Sequence, residues 1–253
     1  MALMSFEGEY LVDHSVLTTT LFNKIYGKPY AKILYNKLSA FTPNEEAIYR
    51  ISKLACLLHD IGKALKGYQQ PAKRLSFPFH EIPSAYIFFK IARPILPENE
   101  DLLLLYSNAI LTHHQAMRNF DVIIYKRDEI ISLLHGKLGL PKNSEEDLKE
   151  LSLAIKRHTG FSIEAETLHD ALETLDIGTL WNAIEHYVIK KYVERNLHRW
   201  VAITSVPIQL CDNLAASLLR PEGSPLTRRL AFESLRLLSS KTEIPAIISK
   251  IKI

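Results

Sequence analysis

The sequence predicts an all-α fold, a single helical domain with at most a small β excursion. Three observations carry this reading. Apolar residues recur at spacings of three and four along most of the chain, and no stretch alternates with period two for long enough to build a sheet. A composition of 47% hydrophobic and 23% charged residues can fill a core and excludes a disordered chain. At 253 residues there is material for one substantial core.

Each element can be justified in turn. Residues 45–58 (EEAIYRISKLACLL) place apolar side chains at 48, 51, 54, 55 and 58, one face of a helix. Helical text continues with SAYIFFKIA from 84, DLLLLYSNAILTHH from 101 and RDEIISLLHGKLG from 127. In SEEDLKELSLAIKRH, Ser144 ahead of Asp147 resembles a capping box. One long helix is predicted from about 177 to 200, followed by VPIQLCDNLAASLLR and SPLTRRLAFESLRLL. The best strand candidates are VIIY at 122–125 and EIPAIISKI at 243–251. Any β excursion belongs between 115 and 165. Pro94, Pro97 and the text at 136–141 mark turns within one domain. The motif-bearing core therefore covers about 10–220, and 221–253 forms a basic helical extension.

Several classes are excluded or disfavoured. Cys56 and Cys211 lie in apolar helical text, so a reducing, cytoplasmic setting is expected rather than a disulfide scaffold. No run reads as a membrane span, and MALMSFEGEYLVDH carries acids and a histidine too early for a signal peptide. Net charge is +3 but uneven. From residue 190 onward eleven Lys or Arg face five Asp or Glu, leaving 20 basic against 23 acidic residues before it. That excess makes an anionic partner plausible.

The chemistry is concentrated in histidines and two aspartates. LLHDIGKA, from 57 to 64, closes an apolar helix with His59 and Asp60 and then turns at Gly62 and Lys63. His80 heads HEIPSAY, His113 and His114 are adjacent in ILTHHQ, and His14 follows Asp13. Taken singly, each fits a structural role at a helix end as well as a ligand role. Asp212 shares its helix face with Ala215, Ala216 and Leu219, so its carboxylate points at an apolar surface. A cation, an arginine or a backbone donor would each satisfy it. Together, imidazoles and carboxylates are the ligands expected for Mn²⁺, Fe, Co²⁺, Ni²⁺ or Zn²⁺, with Mg²⁺ least suited. One or two such ions per chain are expected. Lys63 either approaches an anion bound there or simply favours the helix C-terminus by its charge. His169-Asp170 sits in a charged helix without a glycine turn and reads as a surface pair. His186 reads as a packing residue, and His135, His158 and His198 carry no motif.

On these residues the chain resembles the HD-type metal-dependent phosphohydrolases, whose defining doublet is His-Asp. The order His14, His59-Asp60, His80, His113-His114, Asp212 further resembles the HD nuclease domain of the type I CRISPR-associated helicase-nuclease family. The resemblance implies a first metal position from His14, His59, Asp60 and Asp212. It implies a second from His80, His113 and His114, with Asp60 bridging. It also implies Asp60 and Lys63 as catalytic residues and single-stranded DNA as substrate. No GxxxxGK[ST] loop occurs in the sequence. The implied partners are therefore a separate helicase and, through it, an RNA-guided surveillance complex. Candidate strand-holding residues are Lys63, Lys126, Arg127, Lys190, Lys191, Arg220, Arg228 and Arg229. The alternative is a nucleotide phosphohydrolase on the same scaffold, acting on deoxynucleotides or cyclic nucleotides.

Overall fold

The structure, a computed structural model, describes residues 2–39, 44–70, 75–114 and 120–220. A short antiparallel hairpin, β1 (Met4–Phe6) and β2 (Glu9–Tyr10), turns at Gly8, whose φ of 74° suits glycine. Helices follow in the order α1 (Leu11–Ile25), α2 (Gly27–Leu38) and α3 (Glu45–Leu58). A 3₁₀ turn (Ile61–Ala64) leads to α4 (Glu81–Ala92) and α5 (Glu100–Leu111). Next come α6 (Phe120–Tyr125), α7 (Arg127–His135), α8 (Glu145–Thr159), α9 (Ala165–Glu173) and α10 (Ile177–Ala183). A π-helical stretch (Ile184–Lys190), α11 (Lys191–Glu194), a 3₁₀ turn (Leu197–Trp200) and α12 (Val201–Leu219) complete the described chain.

α3 is the central post. Asn44 caps it by accepting a hydrogen bond from the Ala47 amide at 2.7 Å, and Glu45 and Glu46 complement the positive end of its dipole. Its last five residues, 54–58, are all fully buried, so this end is apolar all round and must be enclosed. α1, α2, α5, α8 and α12 surround it, and α12 also lies across α1 and α5. The histidines and aspartates emerge where these helices begin or end, which is why the core can converge on them.

The fold class agrees with the sequence reading, and several elements differ in detail. VIIY at 122–125 is helical, part of α6. Ile123 is buried while Ile124 and Tyr125 are exposed, which is not the alternation of a strand. The β pair sits instead at the N-terminus, where MSFEGEY is too short to show a period. Ser144 makes no capping hydrogen bond; Asp147 accepts one from the Leu3 amide at 3.2 Å instead. The expected continuous helix over 177–200 loosens into π geometry at 184–190 and stops at Asn196, whose φ is 57°. Asparagine tolerates that left-handed conformation better than most residues.

The next helix starts earlier than expected, at Val201, and carries Pro207 inside. Proline cannot bond the carbonyl four residues back, and the Tyr30 hydroxyl donates to that carbonyl, Ile203, at 3.0 Å. By length and apolarity alone Leu197–Leu219 is long enough to cross a membrane, contrary to the sequence expectation. It packs against α1 and α5 as a core helix, about half of it buried, and it carries Asp212. The expected helix from 224 and the strand candidate at 243–251 lie outside the described residues, as does the rest of 221–253.

Candidate metal centre

Five helices deliver the site. His14 lies in the first turn of α1, His59 is the C-cap of α3, and Asp60 follows with φ −109° and ψ 5°. His80 is the N-cap of α4, His113 and His114 occupy the turn after α5, and Asp212 projects from α12. Gly62 makes the tight passage possible. Its amide donates to Ser84 Oγ at 2.8 Å, and a Cβ there would lie 2.3 Å from the His80 carbonyl oxygen. Phe79, just ahead of His80, has a φ of 61°, a strained conformation for a bulky residue held next to the site.

Three histidines are oriented by one local device. Nδ1 donates to the carbonyl three residues back: His59 to Cys56 at 2.8 Å, His80 to Phe77 at 2.7 Å, His113 to Ile110 at 2.5 Å. Each Nε2 is thereby turned toward Asp60, and it presents a lone pair whenever the ring is neutral. His14 differs, since its Nδ1 lies 2.8 Å from Glu9 Oε1. Glu9 in turn accepts from Arg220 at 2.6 and 2.9 Å and from the Ser5 hydroxyl.

The carboxylates sit between these rings. Asp60 Oδ1 is 2.8 Å from His80 Nε2 and 3.7 Å from His113 Nε2. Asp60 Oδ2 is 2.6 Å from Lys63 Nζ and 3.5 Å from both His14 Nε2 and His59 Nε2. Asp212 Oδ1 is 2.9 Å from His14 Nε2 and 3.5 Å from His59 Nε2. Two groups result, His14-His59-Asp60-Asp212 and Asp60-His80-His113-His114, each with ligand atoms within 4.8 Å of one another.

Charge holds the carboxylates and His114 deprotonated but favours the protonated form of His14 and His113. Burial would raise Asp60, but His59, Lys63 and His80 hold it well below the ordinary carboxylate range. Burial likewise opposes Asp212, which the hydrogen bond from His14 and the nearby His59 ring hold down. His114 is pushed down to about 2, first by burial and then by His113 and His80. Burial would also lower His14, yet Asp212 and Glu9 outweigh it and raise the imidazole to about 9.

The residues fit divalent cations. His59 Nε2 and His113 Nε2 are buried without a hydrogen-bond partner among the described residues, and both face carboxylate oxygens. Buried lone pairs of this kind require a partner, and an imidazole–carboxylate donor set suits Mn²⁺, Fe, Co²⁺, Ni²⁺ or Zn²⁺.

All seven ligand candidates and Lys63 are therefore together. Of the other strand-holding candidates among the described residues, only Arg220 reaches the site, through Glu9. Lys126 pairs with Glu129 at 3.0 Å, and Arg127 lies 5.7 Å from the Trp181 ring centroid. Lys190 is exposed on the π-helical stretch, Lys191 pairs with Glu100 at 2.8 Å, and Arg220 grips Glu9. Arg228 and Arg229 lie outside the described residues. His169 and Asp170 form the expected surface pair, 3.6 Å apart. His186, expected in packing, is exposed, on the outer side of the π-helical stretch whose Ile184 and Val188 are buried. The residue that sequence reasoning missed is Glu9. It precedes the first helix, and its contact with His14 exists only because the hairpin folds back.

A helical core whose imidazoles and carboxylates converge on one shared aspartate defines a metal-binding hydrolase scaffold. The HD domain family matches residues 11–217, and the chain belongs to that family. Membership implies a metal-dependent phosphohydrolase. No curated protein sequence matches the chain significantly.

Proposed function

We propose that the chain, taken over 1–253 as one HD nuclease domain, is a cytoplasmic metal-dependent nuclease. It hydrolyses phosphodiester bonds of single-stranded DNA in CRISPR interference, acting beside a separate helicase and its RNA-guided complex. The observation that carries this reading is the division of Asp60. Oδ1 faces His80 and His113, and Oδ2 faces His14 and His59. One carboxylate thus serves two ligand groups. When bound, a pair of divalent cations supplies a nucleophile near neutral pH and charge on both sides of an in-line displacement.

The chain's own residues prepare that chemistry. The i−3 carbonyls hold the His59, His80 and His113 rings with Nε2 forward, and Glu9 does the same for His14 from its other nitrogen. Lys63 Nζ spends one of its donors on Asp60 Oδ2 and lies 5.4 Å from the Phe77 ring centroid. Its remaining N–H groups can donate to a substrate phosphate oxygen. His114 stays neutral, so its lone pair is free to ligate.

The test incubates metal-stripped protein with circular and linear single-stranded DNA, adding Mn²⁺, Co²⁺, Ni²⁺, Zn²⁺ or Mg²⁺ in turn. Metal-dependent cutting that is lost in Asp60→Ala is the expected result. Hydrolysis of free nucleotides with no cutting of either DNA under any cation overturns it in favour of a nucleotide phosphohydrolase.

A further inference from the structure

A second cationic surface lies away from the metal centre and from the basic residues that the sequence singled out. Lys28 on α2, Tyr49, Arg50 and Lys53 on α3, and Arg157 and His158 in the last turn of α8 meet there. Lys53 Nζ stands 4.0 Å and Lys28 Nζ 6.0 Å from the centroid of the same Tyr49 ring. The Tyr49 hydroxyl bonds Asn23 Oδ1. Arg50 anchors the junction: its Nε donates to the Thr159 carbonyl at 2.7 Å, and its guanidinium lies 4.0 Å from the Phe161 ring centroid.

The cluster gathers basic groups of the unpaired kind, to which exposed residues such as Lys24, Lys32 and Lys190 also belong. Among the described residues, Lys63, Lys126, Lys149, Lys191, Arg195 and Arg220 all make ion pairs. Lys28, Arg50, Lys53 and Arg157 make none with described residues. The charges sense one another. Burial draws the Lys53 ammonium below its ordinary range against the pull of Glu46, and Arg50 and Lys28 add to the fall. His158 is drawn down first by burial and then by Lys53 and Arg157. Gathering like charges opposes folding unless something offsets it. The face of Tyr49 offsets part, because an aromatic ring attracts cations. An anion across the surface would offset the rest.

We propose that Lys28 and Lys53, set around Tyr49, form a binding surface for the phosphates of a nucleic-acid strand. This rests on the reading of the metal centre as a nuclease site and gives that site its strand-holding surface. α3 connects the two. Lys53 and His59 are six residues apart on one helix, about 9 Å along its axis. The contacts are to backbone charge, so they hold without reading sequence.

The experiment measures anisotropy of a labelled oligodeoxythymidylate against metal-free protein over a range of salt concentrations. Lys28→Glu/Lys53→Glu is compared with Lys90→Glu/Lys149→Glu, an equal charge change elsewhere, and with Lys28→Arg/Lys53→Arg. Circular dichroism checks the fold of each. The expected result is about tenfold or greater loss of affinity in the first variant. Its log–log salt slope should become shallower by about 1.4, two single-strand contacts at about 0.7 each. The control should lose far less, and the arginine pair should retain binding.

Equal losses in the two glutamate variants, or an unchanged slope, overturn the surface. So does a wild type that does not bind DNA, or one that binds polyglutamate instead with the same dependence on Lys28 and Lys53. Cutting is scored separately with the loaded wild type. Cutting without dependence of binding on the lysines removes this surface alone. Lysine-dependent binding without cutting removes the nuclease reading and leaves the surface standing.

Discussion

Asp60 and Glu9 act on the same imidazole from opposite sides, and they were unequally visible. Asp60 stands next to His59 ahead of a glycine turn, and the other ligands follow in an order that the sequence shows outright. What no sequence pattern shows is who holds His14, because Glu9 reaches it through a hairpin over Met4–Tyr10 and is itself held by Arg220, just past α12. Partners that orient a ligating histidine typically change metal affinity by about 10–100-fold. Glu9→Gln should therefore weaken binding at the His14 group by about that factor while the His80 group keeps its affinity. Calorimetric titration of metal-stripped protein resolves the two. Equal weakening at both, or none at either, would remove Glu9 from the site.

At the scale of elements, the turn after α3 matters more than any single helix. Gly62 is buried between the His80 carbonyl, Pro83 and Ser84, with no room for a methyl group. Gly62→Ala must push α4 away from α3, shifting His80 relative to Asp60. A loss of about 1–3 kcal/mol, the usual effect of overpacking, is expected in urea unfolding, together with weaker metal binding at the His80 group. A variant of unchanged stability and affinity would show that the turn yields without cost.

The sequence made most helices legible because their apolar stripes face one core. It failed where the deciding partner lies elsewhere in space. The helix of Asp212 extends back past Pro207 to Val201 because Tyr30 takes up the Ile203 carbonyl that the proline cannot bond. Val188 looks like continuous helix until Asn108 on α5 donates to its carbonyl at 2.7 Å and holds the widened turn. VIIY is a short apolar run of the kind whose periodicity fits strand and helix alike.

For the whole molecule, the centre gathers α1, α3, α4, α5 and α12, so ligand protonation, metal binding and global stability are one linked problem. In the metal-free chain His80 and His114, lowered, and His14 and His113, raised, set the pH profile from opposite directions. His114, depressed to about 2 from 6.5, stays neutral when folded, so the unfolded state binds more protons below about 6.5 and stability falls there. His14, raised to about 9, contributes stability that is full below about 6.5 and is lost as pH rises through about 9. Lowered Asp60, Asp212 and Glu9 add stability above their unfolded values and lose it in acid, on the same side as His114. Metal-free protein should thus be most stable near pH 6.5 and weaken toward pH 9.

Cation binding requires the His14 Nε2 lone pair, so the cation competes with that proton and gains affinity as pH rises. At a concentration 1,000 times Kd a ligand adds about 4.1 kcal/mol. For a domain of this size each kcal/mol moves Tm by about 2–4 °C. Scanning calorimetry at pH 6.5 and 8.5, with and without Mn²⁺, should show a rise in Tm of about 8–16 °C at saturation. The rise at a fixed limiting Mn²⁺ concentration should be larger at pH 8.5. An equal rise in Asp60→Ala would place the stabilising cation outside this centre, and a larger rise at pH 6.5 would mean that His14 is not displaced from its proton.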